Sequence, residues 1–429
     1  MALQTNNTPG NTALQPVTDS ERVFTWSAHA SLWFSLGVGL LVMQIGAYLV
    51  PATGTRDAAL AIVLGSLVGS ALLAWTARIG CTSGLSSAGL MHHTFGSFFA
   101  RLPIVLNIAQ LIGWTTFELV IMREGSTAIA QKSFGLSLDG WLGVVLPTLL
   151  WGGVLLALLS GSMTHLVRRL VARFGLPLVI ASLLWLTWQF GGKLQAQGLD
   201  AFMNRPGDGS MGLLSAMDLV IAMPISWLPL VADYARYGKT ARGAFGGTFI
   251  GYLLANIWCY ALGIVVITVA PGETGLVSAL LLAQGGLIAL SLILVDELDN
   301  AYGDVYSGAV SSHSLKPTLS VKTWGLALCA LCMGLAMMLP MHSIEPFLLM
   351  LSSVFVPLYG VILGRLGLGH AASLIASTPT KKVDWVAAGI WLAGIGLYHA
   401  LAVAAPQWGS ALPTLAFSFI AARLSAGKT

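Results

Sequence analysis

Runs of about twenty residues with almost no charge recur along the whole chain, and each is long enough for an α-helix to cross the apolar core of a bilayer. They lie near 28–50, 57–77, 102–122, 141–160, 170–190, 213–232, 243–270, 284–310, 321–340, 346–365, 384–405 and 409–424. That is twelve candidate spans in 429 residues. Only 9% of the residues are charged, against about 25% in an ordinary soluble domain. Apolar residues make up 56% and the mean hydropathy is +0.81. A water-soluble enzyme or nucleic-acid binder is excluded, and the net charge of +4 says nothing about nucleic acid. The partner of most of this surface is lipid. The eighth run is the least regular. Acids follow from Asp296, so 274–284 reads as an external re-entrant segment, which moves Asp296 toward mid-membrane.

The basic residues test the map. With the N-terminus inside, only Arg56, Arg123, Lys132, Lys193 and Arg205 of the 21 Lys and Arg fall outside. The other 16 (21 − 5), among them Arg168, Arg169, Arg173 and Lys428, fall on the inner side. Basic residues collect on the cytoplasmic side of membrane proteins, so both termini are expected there. The polar stretch 1–23 lacks an apolar signal region and reads as a disordered cytoplasmic tail. Cys329 and Cys332 are spaced CxxC inside an apolar run, and read as two small core residues on one helix face. No zinc or disulfide framework is implied. Gly65 with Gly69, and Gly247 with Gly251, have the spacing that lets helix backbones approach closely.

Two spans carry breaks. In the first, Gly37 and Gly39 bracket Val38 and Gly46 follows. In the sixth, Pro224 and Pro229 lie mid-span beside Ser226 and Trp227. A proline has no N–H, so the carbonyls of Val220 and Ile225 lose their helical partners. In lipid such a carbonyl costs several kcal/mol unless something meets it, so broken backbone is expected where it lines a cavity. The two spans are five apart. Five is odd, so a second five-span unit enters the membrane inverted, and interruptions at matching positions of two halves point to a transport site. A plain proline kink with scattered packing glycines is the competing reading.

Polar residues inside the bilayer cost roughly 2.5–3.5 kcal/mol each when charged and call for a functional account. In the third span Gln110, Trp114 and Glu118 recur every four residues and form one stripe about 12 Å long. An indole flanked by an amide and a carboxylate suits a flat polar heterocycle, where stacking contributes about 1–3 kcal/mol per base. The alternative is a packing Trp with Gln and Glu bonded to neighbouring spans. In the eighth span Asp296, Asp299 and Asn300 share one face, where they can hold Na+ or take up a proton. Glu297 and Asp304 lie on another and read as a hydrated acidic rim at the cytoplasmic mouth. His92 and His93 sit in a loop without acid or Cys companions and read as interfacial. Asp233, beside Arg236, reads as a cytoplasmic ion pair or gate latch. No hydrolase, metalloprotease or nucleotide-binding motif appears, so the chain is not read as an enzyme.

The stretch Met223-Pro224-Ile225-Ser226-Trp227-Leu228-Pro229, leading into Ala232-Asp233-Tyr234-Ala235-Arg236-Tyr237, resembles the nucleobase–cation symporter-1 family. Gly113-Trp114-Thr115 and Asp304-Val305-Tyr306-Ser307 look like its cytosine and hydroxymethylpyrimidine permease branch. The resemblance covers about residues 24–424. It implies an all-α polytopic membrane protein with twelve transmembrane helices. The arrangement is a leucine-transporter-type 5+5 inverted repeat with discontinuous helices 1 and 6. The units are 24–195 (spans 1–5), 196–370 (spans 6–10) and 371–429 (spans 11–12 and the C-terminal tail).

The resemblance also implies a substrate held between Trp114 and Trp227, with Gln110 and Ser226 hydrogen-bonding it. Backbone carbonyls from Ser35 to Gly39, including Gly37 and Val38, would serve substrate or cation. The family's Ser/Thr pair on span 8 is absent, because Asn300 and Ala301 or the acids stand there. That leaves the coupling ion, Na+ or H+, open. Any Na+ would sit at the contact of spans 1 and 8, and no other cofactor is expected.

The function expected is import of an aminopyrimidine across a bacterial-type cytoplasmic membrane by cation symport and alternating access. Glu118 favours hydroxymethylpyrimidine, a thiamin precursor, because its carboxylate accepts from an exocyclic amine. Cytosine or another nucleobase is the alternative, and an amino-acid carrier of the same fold a weaker one. One chain suffices for such a site.

Overall fold

The computed structural model describes residues 13–161, 175–273, 275–339, 344–368 and 381–426. Among these the chain is α-helical, with two short 3-10 turns and one isolated bridge, Phe24 with Gly238. The helices are α1 (Trp26–Ser35), α2 (Leu40–Ala52), α3 (Thr55–Ser83), α4 (Ser87–Phe95), α5 (Arg101–Phe134) and α6 (Gly140–Ser160). After these come α7 (Leu176–Gln197), α8 (Leu199–Met203), α9 (Leu213–Ser226), α10 (Leu228–Ala235), α11 (Ala241–Val269) and α12 (Leu276–Leu280). The last are α13 (Gly286–Leu315), α14 (Val321–Met338), α15 (Ile344–Leu366), α16 (Trp385–Ala404) and α17 (Ala411–Ala426). A helix or a tandem pair stands at each of the twelve charge-poor runs. Arg168, Arg169, Arg173, Lys428, residues 1–12 and the start of the fifth run lie outside the described residues.

Among the described residues, eight helices are long and apolar enough to cross a bilayer, and the pair α1 and α2, bent by 60°, makes a ninth candidate. Burial sorts them. The α9–α10 segment is 89% buried over its most apolar window, whereas α14 and α16 are each 28% buried. Leu150, Trp188 and Val403 are exposed. Apolar side chains pointing away from the protein on the peripheral helices are what lipid contact requires.

The glycine pairs explain how the central helices meet. A Cβ on Gly65 or Gly69 would overlap Val220 or Pro224 of α9. On Gly247 or Gly251 it would overlap backbone of α1 at Trp26 or Ala30. Gly46 of α2 and Gly263 of α11 each abut the other helix's backbone, at Tyr260 and Met43. Between helices in lipid, van der Waals contact of this kind supplies much of the association energy.

The two breaks differ. Between α1 and α2 the chain unwinds over Leu36–Gly39, and Gly39 is extended at φ −178°, ψ 151°. The sixth segment is interrupted only at Trp227 and continues as one span, Leu213–Ala235. Both segments expected to be discontinuous are interrupted, the first by a 60° bend and the sixth at a single residue. Pro224 fits into a nearly continuous helix because a neighbouring side chain meets the carbonyl it frees: the Tyr260 hydroxyl donates to Val220 O at 3.2 Å. Of the tail read as disordered, the described part, 13–23, is corrected. Residues 13–25 dock on the ends of α3 and α10: Val17 N–H donates to Gly84 O, Ser86 Oγ to Ala13 O, and Arg22 to Cys81 O. Phe24 N–H donates to Tyr237 O, and Phe24 O accepts from Lys239 N–H. The segment before α13 holds the short helix α12, and His92 and His93 lie on helix α4, with His92 buried. The four cysteines are free and buried, Cys329 and Cys332 among them.

At the other end of α15, Arg365 binds Asp384, the N-cap of α16, at 2.8 Å and also donates to Thr94 O. Burial alone would raise the Asp384 carboxyl. Hydrogen bonds from Arg365 and the Ala387 N–H, with the Arg365 charge and Lys381, hold it down to about 2.

Gly251→Val is expected to destabilise the protein by about 1–3 kcal/mol through overpacking, read as a lower Tm in detergent. Gly272→Ala, which meets no neighbour within 4 Å, should leave the Tm unchanged. A depressed carboxyl stabilises above its unfolded pKa and loses that contribution as pH falls through its folded pKa. Thermal scans should therefore show wild type losing its advantage over Asp384→Asn as pH falls from about 4, the unfolded value, toward about 2.

Candidate functional site

The unwound stretch Leu36–Gly39 exposes both helix ends at the centre of the bundle, and α13 meets them. Leu40 N–H, at the start of α2, donates to Glu297 Oε1 at 2.6 Å. Asn300 Nδ2 donates to Val38 O and to Glu297 Oε2, each at 3.1 Å. Ser35 Oγ donates to Asp296 Oδ1 at 2.7 Å and lies 3.4 Å from Asp299 Oδ2. A carboxylate at a helix N-terminus is favoured by the free N–H groups and the helix dipole, so Glu297 caps α2 from another helix. Gly39 leaves the room for it, since a Cβ there would lie 3.4 Å from Glu297 Oε2.

Glu297 and Asp304, read from sequence as a hydrated rim, are both about 1% exposed. The correction has a geometric cause. Glu297, Asn300 and Asp304 are spaced i, i+3, i+7 and share a helix face, and that face turns inward. Glu297 and Glu118 line the same central cavity.

Leu36, Gly39, Leu41, Val42, Trp114, Glu118, Met223, Ser226, Trp227, Glu297 and Asn300 line a small central cavity of about 20 Å³. That is room for roughly one water, so the walls must part to admit a ring. Trp227 packs edge-on against Trp33, with centroids 6.0 Å apart. Trp114 is packed by Phe347 of α15 at 5.2 Å, and its indole N–H has no partner.

Of the residues proposed for substrate from sequence, Trp114, Glu118, Ser226, Trp227 and Gly39 line this cavity. Gln110 does not. Its amide donates to Ser226 O at 3.1 Å and to Asn107 Oδ1 at 2.9 Å, while Asn107 donates to Pro229 O. The amides of α5 thus serve the backbone on either side of Trp227. The Ser226 hydroxyl is turned back to Met223 O. Gly37 faces α11, where a Cβ would lie 2.9 Å from Ala255 Cβ.

Ser35, Val38, Asp296, Asp299 and Asn300 converge as a group, yet an amide N–H occupies the Val38 carbonyl. Among the described residues no group of three or more His, Cys, Asp or Glu is arranged to hold a metal ion. Asp233 accepts from Ser87 N–H at 2.9 Å and from Ser307 Oγ at 2.7 Å. It joins α10 to α4 and α13 by hydrogen bonds, while the Arg236 guanidinium turns to the Tyr237 hydroxyl. Asn107 escaped the sequence reading, and Glu297 was read there as rim and not as part of the central site. The signal for Glu297 was its i+3 spacing to Asn300.

Residues 16–420 match the family model described as permease for cytosine/purines, uracil, thiamine, allantoin. The chain belongs to this permease family. It is a multi-pass membrane transporter, not an enzyme. The permease is 25% identical to the cytosine permease of Escherichia coli strain K12 over 390 residues, covering 85% of this chain and 83% of that one. Its fold is that of Mhp1, a nucleobase-cation-symport-1 family transporter. The closed, bromovinylhydantoin-bound form of Mhp1 superposes with a TM-score of 0.77 at 16% identity, covering 97% of this chain and 94% of that one. Its inward-facing form also gives 0.77, at 16% identity, with 98% and 93% covered.

Loss of the Glu297 cap should be visible without any ligand. Glu297→Ala is expected to cost about 1.5–3 kcal/mol, the range for a hydrogen bond to a charged group. It should read as a lower Tm of the purified permease, with Glu297→Gln recovering part of the loss.

Proposed function

We propose that the permease imports an aminopyrimidine by cation symport, with hydroxymethylpyrimidine the best-fitting substrate. The supporting observation is one cavity at a broken helix that brings Trp114, Trp227, Glu118 and Glu297 together. Two indoles offer faces to a planar ring, and stacking contributes about 1–3 kcal/mol per base. The polar groups in the walls are mostly acceptors. A ring carrying an exocyclic amine and a hydroxymethyl group supplies two donors to two carboxyls. Cytosine adds a carbonyl oxygen, an acceptor for which the wall's free donor is the Trp114 N–H. A buried polar group left unpaired by the wrong ligand is the basis of strong discrimination. Cytosine remains the second reading, favoured by the named activity of the Escherichia coli relative.

In this reading twelve segments cross the membrane as two inverted five-segment repeats plus two, with both termini cytoplasmic. One bundle rocks against the rest around the central site. The Asn300 amide on the Val38 carbonyl favours H+ over Na+ as the coupling ion, since a donor stands where a cation would need an oxygen. One charge moving inward across 100 mV supplies about 2.3 kcal/mol, enough for roughly fifty-fold accumulation.

The test is a labelled-uptake panel in proteoliposomes, with Na+ and pH gradients imposed separately. Hydroxymethylpyrimidine should be taken up in preference to cytosine, driven by the pH gradient. Trp114→Ala should weaken binding roughly 5- to 150-fold. Undiminished pyrimidine binding by that variant, or uptake indifferent to both gradients, would remove this reading.

A further inference from the structure

Two amides of α5 stand outside the cavity lining yet close on the segment that presents Trp227. Asn107 and Gln110 are 1% and 2% exposed, and their i, i+3 spacing puts them on one helix face. Gln110 Nε2 donates to Ser226 O at 3.1 Å and to Asn107 Oδ1 at 2.9 Å. Asn107 Nδ2 donates to Pro229 O at 3.1 Å and to Ser311 Oγ of α13 at 3.2 Å. Ser226 O is the carbonyl at the break, because the Leu230 N–H, which would serve it in a regular helix, goes to Trp227 O at 3.2 Å. The chain is therefore held on both sides of Trp227.

The direction of these bonds is forced. A backbone carbonyl can only accept, and a side-chain amide carries its donors on nitrogen and its acceptor on oxygen. Pro229 O turns the Asn107 nitrogen toward α10, and Ser226 O turns the Gln110 nitrogen toward α9. Asn107 Oδ1 is then left to face Gln110, and Gln110 Oε1 is left with no partner. A buried acceptor without a partner costs about 1–3 kcal/mol. Simple packing would be met by leucine and methionine, which have no such oxygen to leave unpaired.

What the two amides hold is one wall of the substrate cavity. Trp114 and Trp227 both line it. Helix α5 presents Trp114 directly, one turn beyond Gln110 and about 6 Å further along the axis. It holds the backbone of Trp227 through Asn107 and Gln110. The other contact on the Trp227 ring is the edge-on one with Trp33, which carries no hydrogen bond. One helix thus governs where both indoles stand.

We infer that Asn107 and Gln110 are positioning residues that fix Trp227 relative to Trp114 and so select flat rings over puckered ones. A saturated ring carries hydrogens above and below its plane, so it is thicker and lacks the π-face that stacking uses. A fixed indole pair rejects it, and a loosened pair tolerates it. This inference rests on the transport reading and adds to it the residues that set the shape of the slot.

Two measurements on the full-length permease test it, with Asn107→Leu and Gln110→Met removing the donors at similar volume. The first needs no substrate. The protein is labelled with fluorotryptophan, and the fluorine NMR lines of Trp227 and Trp391 are assigned from Trp227→Phe and Trp391→Phe. Trp391 is a reference on α16, anchored to Val354 O at 2.9 Å. In both variants the Trp227 line should move or split while the Trp391 line stays in place. If Asn107→Leu does not fold, Gln110→Met carries the test alone. A Trp227 line unchanged in the folded variants, or a Trp391 line that moves as far, would overturn the inference. In the second measurement uracil and dihydrouracil compete with labelled cytosine for binding. Wild type should prefer the flat ring, and the preference should fall by about fivefold or more in the variants, the lower end for loss of one stacking face. The ratio does not depend on how much of the protein is folded, and an unchanged ratio would overturn the selection of flat rings. If wild type binds none of these pyrimidines while the Trp227 line moves in the variants, the substrate reading fails and the positioning of Trp227 stands.

Discussion

A carboxylate placed at the opened end of a helix is the contact on which the centre of this transporter depends. Helix α2 begins inside the bundle, where its first N–H groups cannot reach bulk water. Glu297 of α13 reaches across to Leu40 N–H, and Asn300 from the same helix covers the Val38 carbonyl just before it. Without these two side chains the unwound stretch would leave unpaired backbone in a dry interior, at several kcal/mol per group. The break and the α13 residues that satisfy it are therefore one device. Glu118 of α5 lines the same cavity as Glu297, so three helices converge there.

Side chains perform the same service at the sixth segment, with a different outcome. Prolines at 224 and 229 remove two donors. The Tyr260 hydroxyl meets Val220 O, freed by Pro224, and the Gln110 and Asn107 amides hold Ser226 O and Pro229 O on either side of Trp227. The helix is left nearly continuous, interrupted at Trp227 alone. That interruption places the indole against the central cavity. Gln110, which the stripe on α5 marks as a ligand-reading group, is instead occupied by backbone. Glu118, two turns further along the same stripe, lines the cavity and is free at Oε2.

The buried acids of α13 divide by neighbour. Asp296 takes the Ser35 hydroxyl, Glu297 takes a helix terminus and the Asn300 amide, and Asp304 Oδ1 has no partner. Spacing along one helix put these residues within nine positions of one another, and burial against different partners separated their chemistry. A helix lined this way carries hydrogen-bonding groups from the central cavity to the α4–α10 contact at Asp233.

Length and apolarity of its charge-poor runs determined that this chain is a helical membrane protein, because hydrocarbon accepts only backbone that is bonded within itself. The glycines of the first span and the prolines of the sixth marked where that bonding fails, and the Trp114–Glu118 spacing marked one wall of the cavity. Periodicity places residues on a face but does not say which face turns inward, and on α13 both faces carry acids. Only packing of α13 against α2 and α5 made Glu297 central and Asp304 dry. Docking on α3 and α10 likewise ordered residues 13–25, whose polar composition reads as free chain. Tertiary contacts decided these points because a carboxylate's behaviour is set by the donors and water within reach, and those come from residues far away in sequence.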